Sequence, residues 1–171
     1  MGCLLCLYLP ASWLFSRVAD PRVIEIMADP FAPGDVVLVN HCSFLFSTPR
    51  AGDVVLYCFP GLRIGNYQYQ SGDMIDRILA EPGDHVNWTD GKLFVNDRES
   101  PWLPLNQSVA VSRPATTLSQ GLYLILPSAL RYPTLAAQQT ALNAVNLVPG
   151  ADIVGGVYWR HQPLARWWLI R

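Results

Sequence analysis

The residue types able to carry out catalysis are few in this chain and scattered along it. There is one lysine, Lys92, with three histidines, His41, His85 and His161, and four cysteines, Cys3, Cys6, Cys42 and Cys58. A lysine that serves as a general base has to be desolvated so that its pKa falls. Lys92 instead follows the Asp90-Gly91 turn, where a solvated amine is expected. Ser43 lies two residues after His41, a spacing that puts both side chains on one face of a strand and would bring a hydroxyl to an imidazole. The run Asn40-His41-Cys42-Ser43 reads more simply as a loop, and no Gly-x-Ser-x-Gly elbow is present. Nor is there a phosphate-binding loop, a dinucleotide fingerprint or a metal-ligand cluster. Cys3 and Cys6 have the Cys-x-x-Cys spacing, but they sit in an apolar run without a second pair. Cys42 and Cys58 flank an expected hairpin at positions that should not face each other, which argues against a disulfide. No cofactor or metal is expected.

The elements that would position these groups are mostly strands. Fourteen prolines and twelve glycines punctuate the chain at short intervals. A Gly-Asp turn ahead of an apolar strand recurs at Gly34-Asp35, Gly52-Asp53, Gly72-Asp73 and Gly83-Asp84. Glycine permits the turn dihedrals, and the aspartate can cap the turn's N–H groups. Two of the strands are near copies, Asp35-Val36-Val37-Leu38-Val39 and Asp53-Val54-Val55-Leu56-Tyr57. Their unbroken apolar runs predict burial on both faces. Further strands are expected at 74–80, 92–96, 121–126 and 152–159, and one helix at 134–146, which is rich in Ala, Leu and Gln. The fold class is mainly β, with one short helix.

Residues 1–15 carry no charged side chain. As a helix they would span about 22 Å, short of the roughly 30 Å hydrocarbon core, and Pro10 would kink them. A short anchor, an interfacial segment and the end of a longer membrane helix all fit. Leu4, Leu5, Tyr8, Trp13 and Phe15 are the expected membrane contacts, joined by Trp167 and Trp168 between Arg166 and Arg171. The division is therefore 1–15 as a membrane-associating segment and 16–171 as one β domain. A hydrophobic fraction of 51% supports a membrane or large apolar partner, and a net charge of −1 excludes an electrostatic nucleic-acid binder.

Several motifs in order resemble the type I signal peptidases, the S26 family of membrane-bound serine proteases. Asp73-Met74-Ile75-Asp76-Arg77-Ile78 followed by Pro82-Gly83-Asp84 is similar to the family's lysine strand. The hairpin Gly91-Lys92-Leu93-Phe94-Val95-Asn96 comes next. Ile26-Met27-Ala28-Asp29-Pro30 ahead of Gly34-Asp35 resembles the serine box. Pro49-Arg50-Ala51-Gly52-Asp53 and the closing run Val148–Val157 complete the pattern. The resemblance implies a coiled sheet or partial barrel behind an N-terminal anchor.

The same alignment implies that the chemistry is gone. The serine position holds Ile26 and the general-base lysine position holds Asp76. Where the family has a Gly-Asp-Asn-Arg box, this chain has Pro127-Ser128-Ala129-Leu130-Arg131-Tyr132. The expected protein is thus an inactive homologue, a membrane-associated peptide-binding or structural subunit on the non-cytoplasmic side. Its expected groove runs between Ile24-Glu25-Ile26-Met27 and Met74-Ile75-Asp76. Its expected partners are the membrane and a protein or peptide, not a small-molecule cofactor. The alternative is an active peptidase of this type with a displaced or partner-completed nucleophile. For Asp76 and Arg77 two readings stand: opposite faces of a strand with Arg77 used structurally, or Asp76 in the former cleft meeting a partner's donor.

Overall fold

A computed structural model describes residues 15–19, 36–102, 114–127 and 134–162 of the chain. In chain order the strands are β1 (Phe15–Ala19), β2 (Val36–Asn40), β3 (Val54–Phe59), β4 (Leu62–Ile64), β5 (Tyr67–Tyr69), β6 (Gly72–Ala80) and β7 (His85–Thr89). They continue with β8 (Lys92–Val95), β9 (Arg98–Glu99), β10 (Thr116–Thr117), β11 (Leu122–Ile125), β12 (Leu147–Pro149) and β13 (Ile153–Gln162), with helix α1 (Leu135–Val145) ahead of β12.

The main sheet has the order β1-β2-β13-β3-β6-β11-β12, and a smaller one has the order β10-β7-β8-β9. The architecture is mainly β with one helix, as the composition predicts. The large sheet is open: β1 and β12 end its order, and it does not close into a barrel.

β3 shows why its Val-Val-Leu run matters. It lies between β13 and β6, and alternate residues feed two cores. Val54 and Leu56 join Val37, Val39, Ile75 and Val157 on one face. Val55, Tyr57 and Phe59 join Ile78, Tyr123, Ile125 and Val148 on the other. The near-copy β2 departs from this expectation. Only Val37 and Val39 are buried there, and the residues between are half-buried, so its pattern alternates. A third cluster, with Leu79, Val86, Leu93 and Leu118, joins β6 to the small sheet.

Two of the expected Gly-Asp turns have the same construction. Asp53 N–H donates to the Arg50 carbonyl and Asp84 N–H to the Glu81 carbonyl. Gly52 and Gly83 sit at φ +98° and +93°, the third position of a type II turn. Each glycine N–H then bonds across to a carbonyl, Ile78 or Leu118, whose own N–H returns to the carbonyl of the following aspartate. That is a G1 bulge. The aspartate carboxylates accept from the N–H of Arg50 (2.9 Å) and of Glu81 (2.8 Å), the capping that the sequence suggests. Glu81 links the two turns by accepting from Ala51 N–H at 2.8 Å.

Gly72-Asp73 departs from the expected device. It is already strand, with Gly72 opposite Phe59 and Asp73 opposite Cys58, because the ladder with β3 runs that far. The β4–β5 ribbon is an addition to the expected strands. Only Gly65 of its Gly65-Asn66 turn has positive φ, the II′ pattern of tight hairpins. Asp90-Gly91 has positive φ at both residues, a type I′ turn as its sequence predicts. The helix also falls where expected: Thr134 caps it by accepting from Ala137 N–H at 3.2 Å, and its own Ala141 and Leu142 are buried.

Candidate functional site

Asp76 sits in the middle of β6, opposite Val55 of β3. Its side chain is 1% exposed, on the face that carries Val55, Tyr57 and Ile78. Burying a carboxylate there demands donors. Tyr57, itself buried, supplies one: its hydroxyl donates to Asp76 Oδ2 at 2.9 Å. The same hydroxyl lies 3.7 Å from the sulfur of Met74, its cross-strand neighbour. The position expected to hold a catalytic lysine therefore holds a carboxylate bonded to a phenol.

Arg77 points to the other face, in agreement with the first of the two readings. Its guanidinium stacks over the Trp102 ring at 4.9 Å and donates to the Gly52 carbonyl in the first linked turn. Burial pushes its pKa down from the ordinary value, and the nearby Asp53 opposes that shift. Met74 and Asp76 share a face, whereas Ile75 joins the opposite core with Leu56. The three expected groove residues are thus divided by the pleat of one strand.

Ile78 directs both its N–H and its carbonyl toward the Gly52-Asp53 bulge, on the β3 side. By strand alternation the N–H and carbonyl groups of Asp73, Ile75 and Arg77 point away from β3. On that side the pairing with β11 begins only at Ile78, opposite Ile125. Among the described residues, the ladder pairing of Gly72–Ile75 runs along one edge only.

The other candidate chemical groups are engaged elsewhere. Lys92 on β8 forms an exposed ion pair with Glu99 on β9 at 3.0 Å, the solvated environment that its turn predicts. Ser43 lies in the turn after β2 and donates its hydroxyl to the Asn40 carbonyl at 3.0 Å, as a loop serine does. His85 on β7 lies 3.3 Å from the Thr117 hydroxyl of the small sheet. Cys42 and Cys58 are free thiols, and burial together with Asp73 raises the Cys58 pKa. No group of three His, Cys, Asp or Glu among the described residues could hold a metal.

Tyr57 is the member of this site that the sequence reading did not pick out. One signal was present: the near-copy strands differ at their last residue only, Val39 in one and Tyr57 in the other. Ile24, Glu25, Ile26 and Met27 lie outside the described residues, as do Leu4, Leu5, Tyr8, Trp13, Trp167 and Trp168. Phe15, expected as the last residue of the anchor, is the first residue of β1 and pairs with Asn40. Among the described residues no helix is long and apolar enough to cross a membrane.

Residues 3–150 match the family model described as "Signal peptidase, peptidase S26". The chain is 39% identical over 87 residues to thylakoidal processing peptidase 1 of Arabidopsis thaliana, covering 48% of this chain and 26% of that protein. It is 35% identical over 85 residues to the probable thylakoidal processing peptidase 2 of the same plant, covering 48% of this chain and 23% of that one. The chain thus matches about a quarter of the length of these two relatives. To the inactive signal peptidase IA of Staphylococcus aureus it is 26% identical over 148 residues, covering 82% of this chain and 76% of that protein.

Proposed function

Because the chain belongs to the signal peptidase family, peptidase S26, we propose that it is a member that keeps the scaffold and does not hydrolyse peptides. In this reading it is a membrane-associated subunit on the non-cytoplasmic side that binds a peptide segment or fills an interface in a membrane complex. The observation that carries the reading is the buried Asp76–Tyr57 pair at the place of the general base. A carboxylate there could act only as an acid or base without a partner nucleophile, because Ile26 has no nucleophilic atom. The single lysine is held by Glu99 on another sheet, so it does not substitute. The likeness to a relative named as inactive supports the same reading.

Peptide binding needs no dyad. An extended segment can add to an unpaired strand edge through main-chain hydrogen bonds, and among the described residues Asp73 and Ile75 offer such an edge. The test uses the full chain in detergent with a signal-peptide substrate and, separately, a serine-reactive acylating probe. No cleavage and no covalent adduct are expected. Turnover that disappears on mutating a serine would establish the alternative, an active peptidase with a displaced or partner-completed nucleophile.

A further inference from the structure

Strands β3 and β13 separate at one end of their ladder. Their register runs as far as Val55 opposite Gly156, whereas β13 stays beside β2 to Gln162. A cavity of about 300 Å³ opens in that fork, between the turn after β2 and the Gly52-Asp53 bulge. Gly156 shapes one wall. A Cβ there would stand 2.8 Å from Ser43 Oγ and 3.5 Å from the Phe44 ring, so glycine is what lets that turn settle on the strand. Val54 and Val157 line the fork as well, although their side chains join the opposite core.

The lining carries one formal charge, the carboxylate of Asp53. Among the described residues no cation comes within ion-pair distance of it. Arg77, whose ionisation Asp53 favours, is turned to the Trp102 ring and the Gly52 carbonyl instead. Asp53 Oδ2 accepts from the Arg50 N–H, and the Ser43 hydroxyl donates to the Asn40 carbonyl, which leaves lone pairs on both groups for a further donor. A carboxylate, a hydroxyl and an aromatic ring around a small cavity suit an alkylammonium group. An anion would be repelled by Asp53. A guanidinium would need paired acceptors for its fork, and one oxygen of Asp53 is already engaged.

We propose that this cavity takes a lysine side chain of a protein partner, with its stem against Phe44 and its ammonium between Asp53 and Ser43. The source of that lysine rests on the partner-binding reading above. A second copy of this chain is not the source, because its single lysine, Lys92, is paired with Glu99 on the small sheet. The cavity borders β2, β3 and β13, whereas Asp76 lies on β6. A partner held here is therefore fixed to the sheet independently of the β6 edge.

The test is amide NMR of the full chain in detergent, titrated at low salt with the peptide acetyl-Gly-Lys-Gly-amide. The amides of Ser43, Gly52 and Gly156 are expected to shift, and those of residues 92–96 to stay where they are. The same peptide with norleucine, which lacks only the ammonium, should bind about fivefold more weakly. Asp53→Asn keeps an oxygen for the Arg50 N–H and removes the charge, so it should weaken the lysine peptide by a similar factor. Equal binding of the two peptides to the parent would overturn the proposal, whether or not the variant folds. Free butylammonium binding as tightly as the lysine peptide would overturn the protein source in favour of a small amine. Absence of shifts at millimolar lysine peptide would sink the site and leave the non-hydrolytic reading standing, which the cleavage assay tests separately.

Discussion

A carboxylate at 1% exposure depends on its donors, and Tyr57 is a donor to Asp76. Tyr57→Phe keeps the ring and removes that hydrogen bond, so it should cost about 1–3 kcal/mol. The measurement is a lower urea midpoint at unchanged m-value. An unchanged midpoint would mean that the phenol is not what holds Asp76. Asp76→Lys alone should not create peptidase activity in a signal-peptide cleavage assay, because Ile26 still lacks a hydroxyl. Tyr123 gives a pH prediction. Burial, with a smaller contribution from Glu81, raises its phenol above the ordinary 10.0. The folded chain therefore holds this proton longer than the unfolded chain. Its contribution is complete below about pH 10 and is lost as pH rises through the higher folded value. Stability should fall in alkali, and Tyr123→Phe should flatten that fall in chemical denaturation series. At this scale the sequence made Asp76 legible as a position of interest, because a motif frame surrounds it. It did not reveal the bond to Tyr57, since cross-strand partnership depends on a register that no local pattern encodes.

At the scale of elements, glycines that look alike do different work. Gly52 combines φ +98° with a ring atom of Trp102 only 2.7 Å from where a Cβ would stand. Gly52→Ala should lose about 2–4 kcal/mol, from backbone strain plus crowding. Gly83→Ala, strained but in open space, should lose about 1 kcal/mol, and Gly72→Ala should stay within about 0.5 kcal/mol. Thermal or urea unfolding of the three variants checks the order, and equal losses would refute the bulge assignment. Turn chemistry was legible wherever Gly-Asp or Asp-Gly dictates positive φ, and so was the Ala-rich helix. The β4–β5 ribbon was harder to read, because three-residue strands between Pro60 and Ser71 leave too little periodicity to stand out. Gly72-Asp73 has the same letters as the true turns and is strand only because β3 extends far enough to pair with it.

For the whole molecule, the connection between sheet order and chain order matters most. β2 pairs with β1 and β13, and β3 with β13 and β6, so the last described strand in sequence is the one between them. A chain ending at Asp152 should lose cooperative unfolding, because β1 and β2 would have no ladder to the rest of the sheet; a sharp calorimetric transition in that variant would contradict this topology. The mainly β class was readable from turns and apolar runs, but the central place of β13 was not, since strand order is set by long-range packing. The same placement bears on biosynthesis. At about 5–20 residues per second, a ribosome makes β13 roughly 6–23 s after β2. For that interval the β2 edge that β13 covers in the finished sheet is bare, a template for edge-to-edge pairing until β13 is made.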